Sequence, residues 1–433
     1  MASSGVKVRG IRQYDHAAVR AGQRQALDIY LWSRAAIWVA AIFAFFFFEP
    51  NRHPNAGRWD TARLHDLGYF TDIWARWDSD FFLRIAQNGY DDASAAFHPL
   101  YPALIAALGR AFFGHYVLAG LVISLLCCLG SFVLLHRLAE QHLGAEGARR
   151  TVLYLAVFPM ALFLQAVYSE SLFLLLVLGA FALAERNRFA GAGLVAGLAI
   201  LTRAAGLALL PALALLAWHQ RDRLRALGGL SLAVPVAAVY PLVLWQQVGD
   251  PWAFASAQDR WHRHLSRAGP VGGIWDGLVA GWRGLEQFAV GHGTHVPDAN
   301  PMHAAAENVQ ALAFLVLFLL LTVVAWRRFG APYGLFATLS LAIPLSYPSS
   351  RWPLLSLPRF GLVVFPLFLA LAAVTAARPR LHTAVMACSA LLLGIAVVQW
   401  ALWQWVAWRP PISTRSPLTR TARSSLSPIP FRH

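Results

Sequence analysis

Lysine is almost absent: Lys7 is the only one among 36 basic residues, and 21 acids leave a formal charge of +15. The arginines recur in short clusters between apolar runs. That pattern follows the positive-inside bias and not a nucleic-acid stripe, so no nucleic-acid partner is expected. Cysteine is scarce too. Cys127, Cys128 and Cys388 are odd in number, lie inside apolar runs and show no Cys/His ligand spacing. They read as small core hydrophobes, which leaves no disulfide framework, no metal site and no cofactor to expect.

What is present is apolar length. The 433 residues are 58% hydrophobic and 13% charged, with mean hydropathy +0.51. Apolar runs of about 20 residues repeat along the chain, each matched to about 30 Å of hydrocarbon. The fold class that follows is an all-α polytopic membrane protein. Residues 1–27 are polar and basic. The next run, 28–48, is too long for a signal-peptide core and lacks a small-residue cleavage site, so it is expected to stay as the first span.

Basic clusters at 137–150, 185–188, 220–225, 327–328 and 378–380 belong with the N-terminal segment on the cytoplasmic side by the same bias. This works only if 97–113, a short run that contains Arg110 and opens near two prolines, lies along the outer face without crossing. Runs near 28–48, 116–137, 151–167, 170–184, 189–202, 206–218, 226–248, 308–326, 331–347, 358–377 and 383–407 then give about eleven spans. Residues 28–408 form the transmembrane domain, with long outer loops at 49–115 and 249–307. The second loop carries Trp252, Trp261, Trp275 and Trp282 as interfacial aromatics. The tail 409–433, rich in Ser, Pro and Arg, reads as disordered and on this count lies outside, against the charge rule.

The best chemical lead is Asp78 and Asp80 in the first outer loop. In an extended segment they share a face; in a helix they diverge. A carboxylate beside a membrane suits a general base that takes a proton from a hydroxyl nucleophile. The plainer alternative is a solvated loop or helix-cap pair.

The surrounding residues go further. Trp77-Asp78, Phe82, Ile85-Ala86 and Gly89-Tyr90, followed by Ala96-Phe97, Pro99 and Tyr101-Pro102, resemble the PIG-V family, the GPI mannosyltransferase 2 group and its bacterial relatives. Further blocks fall in the same order over roughly residues 28–377. These are Tyr168 to Phe173, Thr202 to Gly206, Gly249-Asp250-Pro251 with Phe254, Gln258 and Trp261, and Pro358-Arg359-Phe360 with Phe365-Pro366.

The resemblance implies a GT-C type fold, a helical first extracytoplasmic loop and a catalytic acid in that loop. It also implies a sugar, expected to be mannose, taken from a polyprenyl-phosphate-linked donor with inversion and without a metal. Asp78 would then deprotonate the acceptor hydroxyl, and Asp80 would hold the acceptor or orient Asp78. Arg203 and Arg359 are the expected donor-phosphate ligands, since a cation at such depth is usually functional or paired, with snorkelling to the interface as the alternative for Arg203. His98, where the family more often carries an aromatic, and Tyr101 are further phosphate or hydroxyl contacts, against structural readings for both. Glu170, Arg351 and Gln258 complete the candidates, with a helix-terminus role for Glu170 and a solvated loop charge for Arg351 as alternatives.

Arginine in place of lysine, with abundant Ala and Leu, points to a GC-rich bacterial genome, so the eukaryotic GPI acceptor is not carried over. The expected setting is an inner (plasma) membrane with the site on the extracytoplasmic side. The expected partners are the lipid-linked donor, a lipid or glycan acceptor and membrane lipids. The rival class is a transporter or lipid-linked sugar flippase, which needs ionisable groups near the bilayer midplane.

Overall fold

The computed structural model describes residues 16–51, 60–291 and 300–404. Apart from an isolated bridge between Arg263 and Ser349, the regular structure among them is helical. The tail 409–433 and most of the N-terminal segment lie outside the described residues, as do 52–59 and 292–299.

Five helices are long and apolar enough to cross a membrane: α1, of which Arg20–Phe47 qualifies, α4 (Tyr116–Ala156), α8 (Arg223–Val248), α10 (Pro301–Phe329) and α14 (Pro379–Ala401). In order along the chain the other α-helices of five or more residues are α2 (Ser79–Asn88), α3 (Leu100–Ala111), α5 (Glu170–Ala184), α6 (Phe189–Ile200), α7 (Leu209–Trp218), α9 (Pro270–Val290), α11 (Ala331–Ser346), α12 (Leu357–Gly361) and α13 (Phe365–Thr375). Several of these are short apolar helices of one bundle. The result is a polytopic, all-α membrane fold.

Long-range hydrogen bonds sort the helix ends into two sets. At one end His142 Nε2 meets the Tyr333 hydroxyl at 2.9 Å, and that hydroxyl also donates to Glu185. Arg150 donates to the Thr375 carbonyl at 2.8 Å, and Gly229 backs onto the Phe189–Ala190 backbone. The five arginine clusters therefore gather at this end. At the other end Trp400 Nε1 donates to the Ile73 carbonyl at 2.7 Å, Leu100 N to the Leu201 carbonyl at 2.9 Å, and Ser266 N to the Ser346 carbonyl at 2.9 Å.

Both ends of α3 belong to that second set. Its first residue pairs with Leu201, and Gly109 in its last turn packs on Tyr116, where α4 starts. Twelve residues of helix span only about 18 Å, short of the roughly 30 Å needed to cross.

Two expected spans differ: the run 358–377 is split into α12 and α13, and the larger difference is at 151–167. Instead of a helix over 151–167, α4 runs from 116 to 156 with a sharp break at Gly144 (φ 73°, ψ 178°), and 157–169 is buried and largely without α-helix. Pro159 stops the helix, because a proline lacks the amide donor and clashes with the preceding turn. The carbonyls freed by the break do not go unpaired. Arg34 of α1, itself buried, donates to Ala156 O at 3.1 Å and Ala161 O at 2.9 Å. An arginine placed in an apolar run is tolerated by such pairing, and it lets an irregular segment reach the site from within the bundle.

In the loop 249–307, α9 turns a row of glycines inward. A Cβ on Gly273 would sit 2.0 Å from the Leu345 carbonyl oxygen. Trp252, Trp275 and Trp282 are exposed, as expected of interfacial aromatics. The Trp261 side chain lies outside the described set.

Candidate active site

Two left-handed residues set up the central ion pair. Trp77 (φ 47°) directly precedes Asp78, and Ser356 (φ 62°) starts the short helix that carries Arg359. Each conformation costs about 1–2 kcal/mol for a residue with a Cβ, so packing must impose it. For Trp77 the packing is visible: its ring lies 5.0 Å from Trp400 and 5.5 Å from Trp403.

Asp78 Oδ2 accepts from Arg359 Nη1 at 2.7 Å, with both side chains close to nine-tenths buried. The Asp78 backbone N–H donates to the Tyr168 hydroxyl at 3.1 Å, and that hydroxyl donates to the Arg76 carbonyl at 3.2 Å. Oδ1 of Asp78 makes no hydrogen bond among the described residues. Glu170, fully buried at the first turn of α5, continues the chain of charges. Its Oε1 lies 2.6 Å from Arg203 Nη1 and 3.4 Å from Arg359 Nε, while its Oε2 has no hydrogen-bond partner among the described residues. The order Arg203–Glu170–Arg359–Asp78 alternates sign, so no member of this desolvated set is left as a lone charge.

Arg203 occupies the reversal between α6 and α7. Gly206 makes that reversal possible, since a Cβ there would sit 2.6 Å from Ile200 N and 2.7 Å from Ala199 C. The broken helix expected around Arg203 is thus present.

These side chains line a cavity of about 690 Å³. His98, Gln258, Tyr168 and Arg263 line it with them, and the lining also includes apolar residues: Leu339, Ile343 and Pro344 of α11, Val363, Val364 and Leu207. Leu207 is half exposed. Three arginines and two carboxylates among the lining residues give a net charge of +1. A single anion with an apolar tail fits that balance of charge and surface.

Other expected site residues lie elsewhere. Asp80, two positions from Asp78 on the first turn of α2, points away and accepts from Arg63 Nη1 and Thr61 Oγ1, both at 2.8 Å. It does not line the cavity. Tyr101 is fully buried and donates within the bundle, its hydroxyl 3.0 Å from Gly120 O and 2.8 Å from Ser124 Oγ. It is a packing residue, and its hydroxyl is already spent. Arg351 is exposed, set over the Trp352 ring, and is not a lining residue.

Residues 65–221 match the family model described as mannosyltransferase (PIG-V). The match supports the PIG-V family. It supports a membrane mannosyltransferase as well. No curated protein matches the chain. The PIG-V match contains Asp78, His98, Glu170 and Arg203, whereas Gln258, Arg263 and Arg359 lie C-terminal to it. The fold closes this gap: Arg359 is 281 positions from Asp78 in sequence and bonded to it in space.

Arg263 is the charged lining residue that the sequence did not single out. Its Nη1 donates to Tyr347 O at 3.0 Å and its Nη2 to Leu355 O at 2.9 Å. Burial and then repulsion from Arg359 lower its pKa to about 10, so it remains a cation at neutral pH. It lies two residues beyond the PIG-V-like block that ends at Trp261, so no motif marked it.

Proposed function

We propose that the protein transfers mannose from a polyprenyl-phosphate-linked donor to a hydroxyl of a lipid or glycan acceptor on the extracytoplasmic side, with inversion. The observation that carries this reading is a buried Asp78–Arg359 pair lining a cavity whose other residues include two further arginines and a set of apolar side chains. The apolar lining suits the prenyl chain. The net +1 suits the single charge of the donor's phosphodiester.

Arg359 holds Asp78 by one oxygen, which leaves Oδ1 to receive a proton. As the acceptor oxygen attacks the sugar's anomeric carbon, its O–H proton passes to Asp78. The bond from that carbon to the phosphate oxygen breaks, and the polyprenyl phosphate departs as a monoester with a second negative charge. Arg359 and Arg203 face that developing charge, and charge-assisted bonds in a desolvated site stabilise it more than they stabilise the diester. Glu170 sets the spacing of the two arginines by binding both.

The test is reconstitution in liposomes with a polyprenyl-phosphate mannose labelled in the sugar and a membrane extract as acceptor source. Label moving to acceptor with inverted anomeric configuration supports the proposal. Transfer from a nucleotide sugar in place of the lipid donor refutes it.

A further inference from the structure

His98 holds a position that its charge state makes specific. Its Nδ1 lies 2.6 Å from the carbonyl oxygen of Ile200, the last residue of α6. A carbonyl only accepts, so Nδ1 carries the proton and caps a carbonyl that the end of the helix leaves without a partner. Burial, with Arg203 close by, lowers the imidazole pKa to about 4 despite the bond to Ile200. The ring is neutral at physiological pH, and Nε2 then bears a lone pair. The ring lies 4.5 Å from Tyr240, whose hydroxyl is tied to the Ala95 carbonyl, so its orientation is fixed from the side as well. Nε2 makes no hydrogen bond among the described residues, and His98 lines the same cavity as Arg203.

A neutral acceptor is a poor partner for a phosphate oxygen, which is itself an acceptor. Of the two contacts expected of His98, phosphate or hydroxyl, this favours the second. A hydroxyl is the group that fits. Resting on the donor reading above, we propose that His98 Nε2 accepts a hydrogen bond from one hydroxyl of the sugar carried by the donor, and so helps to select that sugar. The closeness of His98 to Arg203 favours the donor's sugar over the acceptor, because the sugar is bonded directly to the phosphate that Arg203 faces.

The test uses purified protein and compares the Kd of polyprenyl-phosphate mannose with those of its monodeoxy analogues. His98→Asn is the informative variant: its amide nitrogen can replace Nδ1 on Ile200, but it places no acceptor where Nε2 stood. His98→Phe removes both. The expected result is a weakening of about 3- to 10-fold for the parent donor in His98→Asn, the size of one neutral hydrogen bond. One deoxy analogue should bind the parent protein and the variant equally, while the others lose the same factor as the parent donor. If the variant weakens every analogue alike, or leaves all of them unchanged, no sugar hydroxyl sits on His98 and the imidazole only ties α6 to α3. If the parent protein binds none of these donors, the donor reading and this inference fail together. If only the acceptor's deoxy forms distinguish the variant, the hydroxyl belongs to the acceptor and the inference is overturned.

Discussion

Replacing Asp78 by Asn separates the chemistry of the site from its architecture. The amide is nearly isosteric and keeps an oxygen that can accept from Arg359, but it cannot take up the acceptor's proton. General-base catalysis contributes about 10²- to 10⁴-fold, so transfer should fall by that factor, equivalent to about 3–5 kcal/mol. The folding cost should be smaller than for an ordinary buried pair. Breaking such a pair by removing one partner costs about 3–5 kcal/mol when the other charge is stranded. Here Arg359 keeps Glu170 at 3.4 Å and the replacement keeps a hydrogen bond, which points to about 1–3 kcal/mol. The net charge of the lining rises by one unit from +1. A non-transferable polyprenyl-phosphate analogue should therefore bind Asp78→Asn at least as tightly as the parent. The assay is paired: transfer in liposomes, and analogue binding to the same monodisperse preparation. Transfer within about tenfold of the parent would remove Asp78 from the role of base. Loss of binding together with transfer would make Asp78 a structural partner of Arg359.

Three further outcomes follow from the same geometry. Arg203→Ala and Arg359→Ala should each weaken the phosphate analogue by at least 10-fold, and Arg359→Lys, which keeps the charge without the planar fork, by roughly 3- to 10-fold; unchanged binding in both alanine variants moves the phosphate elsewhere in the cavity. Gly206→Ala forces a Cβ against the backbone of Ala199 and Ile200, so it should destabilise the protein by about 1–3 kcal/mol and lower donor affinity, read from thermal unfolding in detergent and from Kd. Asp80→Asn loses only a partly exposed pair with Arg63, about 1 kcal/mol or less. Its transfer rate should stay within a few-fold of the parent, and a loss as deep as that of Asp78→Asn would show that Asp80 reaches the reacting groups.

The membrane class and the helical architecture were legible in the chain because apolar run length and arginine placement are one-dimensional signals. Residues 100–111 being too short to cross was legible for the same reason. What each charged side chain does was not. Asp78 and Asp80 look alike in sequence, yet one meets Arg359 on a cavity wall and the other meets Arg63 and Thr61 behind it, because the helix that begins between them turns them apart. Tyr101 and Tyr168 both look like interfacial tyrosines. Packing commits the first to Gly120 and Ser124 and sets the second beneath the Asp78 amide. Arg34 and Arg263 carried no motif, since their partners are main-chain carbonyls freed far away in sequence. Sequence thus determined which groups exist at what depth along each run. Only the tertiary structure decided which of them share a desolvated space, because a buried charge takes its role from the partner that neutralises it, and here the partner of Asp78 lies 281 positions away.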